Sequence, residues 1–127
     1  MGIIEIKSPE ELAELVKSGR PLVVKFGAKW CGDCKELQPH FEAEAGKLEE
    51  AGIQVARFDL SHERREVEGG KKAVYPTLQH EALRKKYAPE GFPTTVFING
   101  GRVFLSSLED NRDSFRHFVS NVLQRMK

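Results

Sequence analysis

The chain has 127 residues, 39% of them apolar and 31% charged, which is one domain's worth of chain with enough apolar material for a single core. Twenty Lys and Arg stand against nineteen Asp and Glu, a formal net charge of +1. That balance argues against nucleic acid or an anionic membrane as the main partner, since both need a concentrated basic face.

Gly2 to Lys7 reads as a short first strand. Ser8-Pro9-Glu10-Glu11 then opens a helix, with Ser8 as N-cap, Pro9 at the first helical position and Glu11 completing a capping box. Leu12, Leu15 and Val16 form its apolar face, and Gly19 ends it. Leu22 to Gly27 reads as a buried strand interrupted by Lys25. A helix is predicted from about Cys31 to Ala51, with Pro39 inside the pattern and Gly52 as the stop. Ile53 to Leu60 alternates like a strand and is expected to be central. Ser61 to Lys72 is polar and reads as a loop or a marginal helix, and Thr77 to Tyr87 as a short helix with a basic end. Thr94 to Ile98 is strand-like, Asn99-Gly100-Gly101 is a hairpin turn, and Arg102 to Leu105 pairs back. The last helix starts near Asp110 or Asn111, with Phe115, Phe118, Val119, Val122, Leu123 and Met126 on one face.

Early strands separated by helices pair in parallel through right-handed crossovers, and the late hairpin is antiparallel. The expected fold is α/β: a mixed sheet of four or five strands with helices on both faces, in one domain over residues 1–127. No segment approaches the roughly 18 apolar residues of a membrane span. Met1 to Gly19 carries six charged residues and no apolar run suited to a signal peptide, so a cytoplasmic location is expected, although an exported chain trimmed of its leader would read the same.

The informative feature is Trp30-Cys31-Gly32-Asp33-Cys34, between a strand and a helix. Two cysteines at i and i+3 share a helix face, and their sulfurs can close a disulfide within one turn. So small a loop constrains the unfolded chain little, which favours a switchable bond over a structural one. Cys31 at the helix N-terminus meets unpaired N–H groups and the positive end of the dipole, both of which favour the attacking thiolate. Cys34, one turn inside, is placed to resolve the mixed disulfide that Cys31 forms.

FGAKWCGDCKELQP resembles the active-site stretch of the thioredoxin family, and Lys35 and Pro39 match its continuation. Gly91 to Val103, GFPTTVFINGGRV, resembles the family's second signature, and the element order agrees along nearly the whole chain. The resemblance implies a thioredoxin-like fold with Pro93 as a cis-proline beside the cysteines. It also implies that the backbone at Phe92 and Thr94 pairs with an extended substrate segment. The partners it implies are disulfide-containing proteins and a reductase that recharges the site, with the redox-active disulfide in place of any bound cofactor.

Departures from the family pattern accompany the likeness. Asp33 stands where the family carries proline; its carboxylate disfavours a Cys31 thiolate, or simply favours the helix start. Lys25 falls where the family buries an acidic residue; it either stabilises a thiolate or, the favoured reading, snorkels from an edge position. Lys29 adds positive charge beside Trp30. The chain is extended over about residues 61–90, most visibly at Arg64 to Leu78, as a solvated loop or a partner-specificity insert. Ser106-Ser107-Leu108 replaces a glycine on the substrate-facing surface.

Trp30, next to Cys31, reads as a cover over the disulfide. His40, His62, His80 and His117 lack the paired spacing of a zinc motif, so no metal is expected. The leading function is therefore a protein thiol–disulfide oxidoreductase working as a monomer. The alternative is a binding or redox-sensing module on the same fold.

Overall fold

The computed structural model describes residues 2–108 and 111–127. The strands are β1 (Ile4–Glu5), β2 (Leu22–Ala28), β3 (Gln54–Ser61), β4 (Glu63–Val67), β5 (Gly70–Val74), β6 (Thr94–Asn99) and β7 (Arg102–Leu108). The helices are α1 (Pro9–Lys17), α2 (Gly32–Glu50), α3 (Leu78–Tyr87) and α4 (Arg112–Arg125). Five strands form a mixed sheet in the order β1-β3-β2-β6-β7. β3 runs parallel to both β1 and β2, whereas β6 is antiparallel to β2 and to β7.

β2 is the middle strand, and every one of its residues is buried. Its side chains alternate between two cores. Leu22, Val24 and Phe26 pack with Leu12 of α1, Tyr87 of α3 and Phe58 of β3. Val23 packs on the opposite face with Leu37 and Phe41 of α2 and with Phe115, Phe118, Val119 and Val122 of α4. A strand covered on both faces explains why this stretch reads as a nearly continuous apolar run. Glu44 of α2, only 7% exposed, pairs with Lys47 at 2.9 Å and with Arg116 of α4 at 3.3 Å, which ties the two helices of that layer together.

Each helix starts where a side chain can satisfy its free N–H groups. Ser8 caps α1 by accepting from the Glu11 amide, and Thr77 caps α3 through the His80 amide. Asn111 caps α4 by accepting from the Ser114 amide at 2.9 Å. The other predicted start of that helix, Asp110, lies outside the described residues. α2 continues through Pro39.

Three expectations are corrected. The first strand is shorter than Gly2 to Lys7: Ile6 still donates to the Arg57 carbonyl at 2.9 Å, but Lys7 turns to the Glu11 carboxylate and Ser8 begins α1. β3 lies one strand from the sheet edge, and β2 takes the centre because the later β6 adds to the other side of β2. The polar stretch after β3 is neither loop nor helix. It forms an antiparallel hairpin, β4 with β5, in which Arg65 faces Lys72 and Glu66 faces Lys71. Glu68-Gly69 makes its turn, with Gly69 at φ +89°, a value that glycine reaches without strain. Neither face of the first strand is covered: every residue from Glu63 to Val67 is exposed, so no hydrophobic alternation could betray it.

Candidate active site

Cys31 is itself the N-cap of α2: its Sγ accepts from the Cys34 amide at 3.2 Å. The two sulfurs are joined in a disulfide with Cα atoms 5.3 Å apart. The bond is nearly enclosed, Cys31 being 6% exposed and Cys34 5%. Trp30, Phe92 and Ala28 pack against it, with the Trp30 and Phe92 rings edge to face at 6.0 Å between centroids. Phe92 thus brings the Phe92–Pro93 segment, whose peptide bond is cis, to the disulfide. Thr94 begins β6, buried, with its hydroxyl donating to the Gly91 carbonyl at 2.6 Å.

Gly32 and Asp33 occupy the exposed first turn of α2. Asp33 is not the cap, since the Cys31 sulfur holds that position; its carboxylate lies in the first turn, at the favourable end of the helix dipole. Lys29 is exposed beside the site.

Lys25 overturns the expectation of an edge position. It lies in the middle strand, 3% exposed, with no edge from which to reach water. Its Nζ donates to the Cys34 carbonyl at 3.3 Å and to Gln38 Oε1, and sits 5.4 Å from the centre of the Phe41 ring. Burial pulls its pKa down to about 8, against the opposing pull of Asp59. The hydrogen bond sets a positive charge at the Cys34 carbonyl, one residue-length from its sulfur.

Sequence reasoning missed Asp59, Gln38, Ser61 and Arg64, which carry no motif. Ser61 is fully buried and joins the hairpin to the active-site tryptophan. Trp30 Nε1 donates to its hydroxyl at 2.8 Å, and that hydroxyl donates to the Val74 carbonyl at 2.6 Å. Arg64 stacks on the Trp30 ring at 4.5 Å. Replacing Ser61 with alanine strands a buried indole N–H and a carbonyl. Ser61→Ala is expected to cost about 1–3 kcal/mol in chemical denaturation and to shift Trp30 emission as the hairpin loosens. An unchanged emission spectrum would show that the hairpin is held by other contacts.

Among the described residues, no group of three or more His, Cys, Asp or Glu side chains is placed to hold a metal ion. The family model described as Thioredoxin matches residues 3–81.

The chain belongs to the thioredoxin family.

Curated thioredoxin-family relatives include protein disulfide-isomerase A5 of Bos taurus, 33% identical over 126 residues that make up 98% of this chain and 20% of that protein. Protein disulfide-isomerase erp38 of Neurospora crassa is 38% identical over 88 residues, 68% of this chain and 19% of its own length. The chain thus spans about a fifth of these relatives. Among solved structures, Fasciola hepatica thioredoxin superposes with a TM-score of 0.68 at 26% identity, covering 94% of this chain and 98% of its own. Oxidised thioredoxin O2 of Arabidopsis thaliana superposes with a TM-score of 0.71 at 17% identity, covering 96% and 95%. The thioredoxin-like fold expected from the sequence is the observed one.

Proposed function

We propose that the protein is a thiol–disulfide oxidoreductase that cycles Cys31 and Cys34 between dithiol and disulfide. The observation that carries this reading is the Cys31 sulfur at the α2 N-cap, where a backbone N–H already points at it. Once the pair is reduced, the same N–H and the helix dipole favour a Cys31 thiolate. That thiolate attacks a substrate disulfide and forms a mixed disulfide. Cys34, one turn deeper, then attacks the Cys31 sulfur and releases the substrate as two thiols. The two electrons gained by the substrate come from the two cysteines, so no organic cofactor is required.

Trp30 and Phe92 form the apolar contact surface around the sulfur, and the backbone beside Pro93 and Thr94 receives an extended substrate segment. We assign Gly32, Asp33 and Lys29 to tuning and access at the exposed rim. The chain acts as one domain over residues 1–127 and as a monomer. The β4–β5 hairpin is its extension toward the substrate. Direction follows the compartment. The cytoplasmic expectation makes it a reductase of protein disulfides, recharged by a separate reductase, while the disulfide-isomerase names among its relatives support isomerisation or oxidation in an exported setting.

Two measurements test this. Insulin reduction by dithiothreitol is accelerated by a working oxidoreductase; turbidity at the uncatalysed rate would leave only the binding or sensing reading. A redox titration in glutathione buffers, followed by Trp30 fluorescence, gives the direction. A potential well below the glutathione pool identifies a reductase, and one above it an oxidant or isomerase, about 30 mV corresponding to a tenfold change in equilibrium.

A further inference from the structure

Cys34 can resolve a mixed disulfide only as thiolate, and at 5% exposure it has little water to take its proton. An acceptor held among the groups around it takes that proton faster than solvent alone can. Beneath the disulfide lies a cavity of about 360 Å³, lined by Cys34 together with Lys25, Lys29, Lys35, Arg57 and Asp59. Asp59 is the one carboxylate in that lining. Lys25 is occupied differently, its ammonium protons directed at the Cys34 carbonyl and at Gln38 Oε1.

The backbone explains how Asp59 reaches this place. β2 and β3 are parallel, and their register sets Gly27 opposite Asp59. Partners in register project to the same face, here the face covered by α2. Gly27 has no side chain to fill the gap. A Cβ there would stand 3.1 Å from Cys34 Sγ and 3.3 Å from Asp59 Oδ1. Cys34 Sγ and Asp59 Oδ1 therefore both crowd against the Gly27 backbone, and both residues line the same cavity, where a single water or a modest side-chain rotation can join them.

We infer that Asp59 accepts the Cys34 proton when substrate is released. The inference rests on the oxidoreductase reading above. The proton passes from Cys34 Sγ to the Asp59 carboxylate, directly or through one water. The resulting thiolate forms the bond to Cys31 Sγ and breaks the bond from Cys31 to the substrate sulfur. The substrate leaves as a thiolate and is protonated from solvent, and Asp59 returns its proton through the cavity mouth. Lys25 and Arg57 neutralise the charge held transiently on this face. The other ionisable groups of this cavity are Lys29 and Lys35, and a second cavity that shares Asp59 is lined by Glu5, Lys7 and His62 on the β1 side. Glu42 lies farther along α2 and is engaged by Gln38 Nε2 at 3.3 Å.

The test is a stopped-flow reaction of the reduced full chain with dithiobis(nitrobenzoate), an aromatic disulfide. One thionitrobenzoate is released when Cys31 attacks and a second when Cys34 resolves. In Asp59→Asn the first phase is expected to stay within a few-fold of wild type. The second phase is expected to slow by about 10²-fold near neutral pH, the usual contribution of a positioned proton acceptor. It should also climb about tenfold per pH unit, as thiolate formed by solvent alone demands, whereas wild type climbs less steeply. Asp59→Glu is expected to recover most of the second phase. A second phase in Asp59→Asn with wild-type rate and pH profile overturns the inference, as does equal slowing of both phases, which marks a structural role. It is also overturned if Lys25→Met, not Asp59→Asn, acquires the steep profile. A wild-type protein with no first phase would instead refute the oxidoreductase reading itself.

Discussion

Cys31→Ser is expected to reduce disulfide turnover to background, and Cys34→Ser to stop the cycle halfway. The two outcomes differ because the sulfurs occupy different places. Cys31 Sγ sits at the helix end, in contact with the Trp30–Phe92 surface, where a substrate sulfur can reach it. Cys34 lies one turn along α2, beside Lys25 and Gly27, with its sulfur joined to that of Cys31. Without Cys31 no mixed disulfide forms. Without Cys34 the mixed disulfide forms and persists until an external thiol cleaves it. Intact-mass measurement after mixing with a disulfide substrate reads this directly: a covalent adduct with Cys34→Ser and none with Cys31→Ser. A lasting adduct with Cys31→Ser and none with Cys34→Ser would reverse the assigned roles. Neither change should unfold the protein. The bond closes a loop between residues only three apart, and constraining so short a loop contributes about 2 kcal/mol. The cores beneath α1 and α2 do not depend on it.

Lys25→Met is expected to stabilise the protein by about 1–3 kcal/mol at neutral pH, a large gain for one substitution. The native state holds a cation where burial disfavours it, and its pKa falls from 10.5 to about 8. Below about pH 8 both native and unfolded chains carry the proton, and the full penalty weighs on the native state. Between pH 8 and 10.5 the unfolded chain binds more protons than the native one, so wild-type stability rises with pH across that window. Above it neither state is charged and the penalty is gone. The advantage of Lys25→Met is therefore largest below pH 8 and fades towards pH 10.5. The loss of the hydrogen bonds to the Cys34 carbonyl and Gln38 offsets part of the gain. Urea denaturation at several pH values checks this; a variant less stable than wild type at pH 7 would mean that those hydrogen bonds outweigh the desolvation. The same variant should be more reducing, since removing the ammonium behind Cys34 destabilises the thiolates of the reduced form. The two results together would mark Lys25 as a trade of stability for redox tuning.

Local chemistry made much of the site legible. The i, i+3 cysteines, the helix start at Cys31 and the caps at Ser8 and Asn111 each depend on a few neighbouring residues, and their spacing survives any tertiary arrangement. The apolar faces of α2 and α4 were readable for the same reason. The β4–β5 hairpin was not, because its strands carry charge on both faces and its pairing is held by backbone bonds, Gly69 and the Ser61 hydroxyl. Lys25 misled because a lysine within an apolar run reads as an edge residue, while its burial follows from β6 closing the far side of β2.

By itself, then, the amino-acid sequence determined the element order outside the β4–β5 hairpin, the pair of sulfurs and their place at a helix start, all of which are set by short-range periodicity and capping. Only the tertiary structure decided what surrounds those sulfurs. Trp30 meets Ser61 and Arg64 across more than thirty residues, and Asp59 and Cys34 come to line one cavity because two parallel strands fall into a register that sets Asp59 opposite a glycine. Contacts of that kind arise from strand order and crossover, which no local pattern encodes, and they place the charges that surround the resolving cysteine.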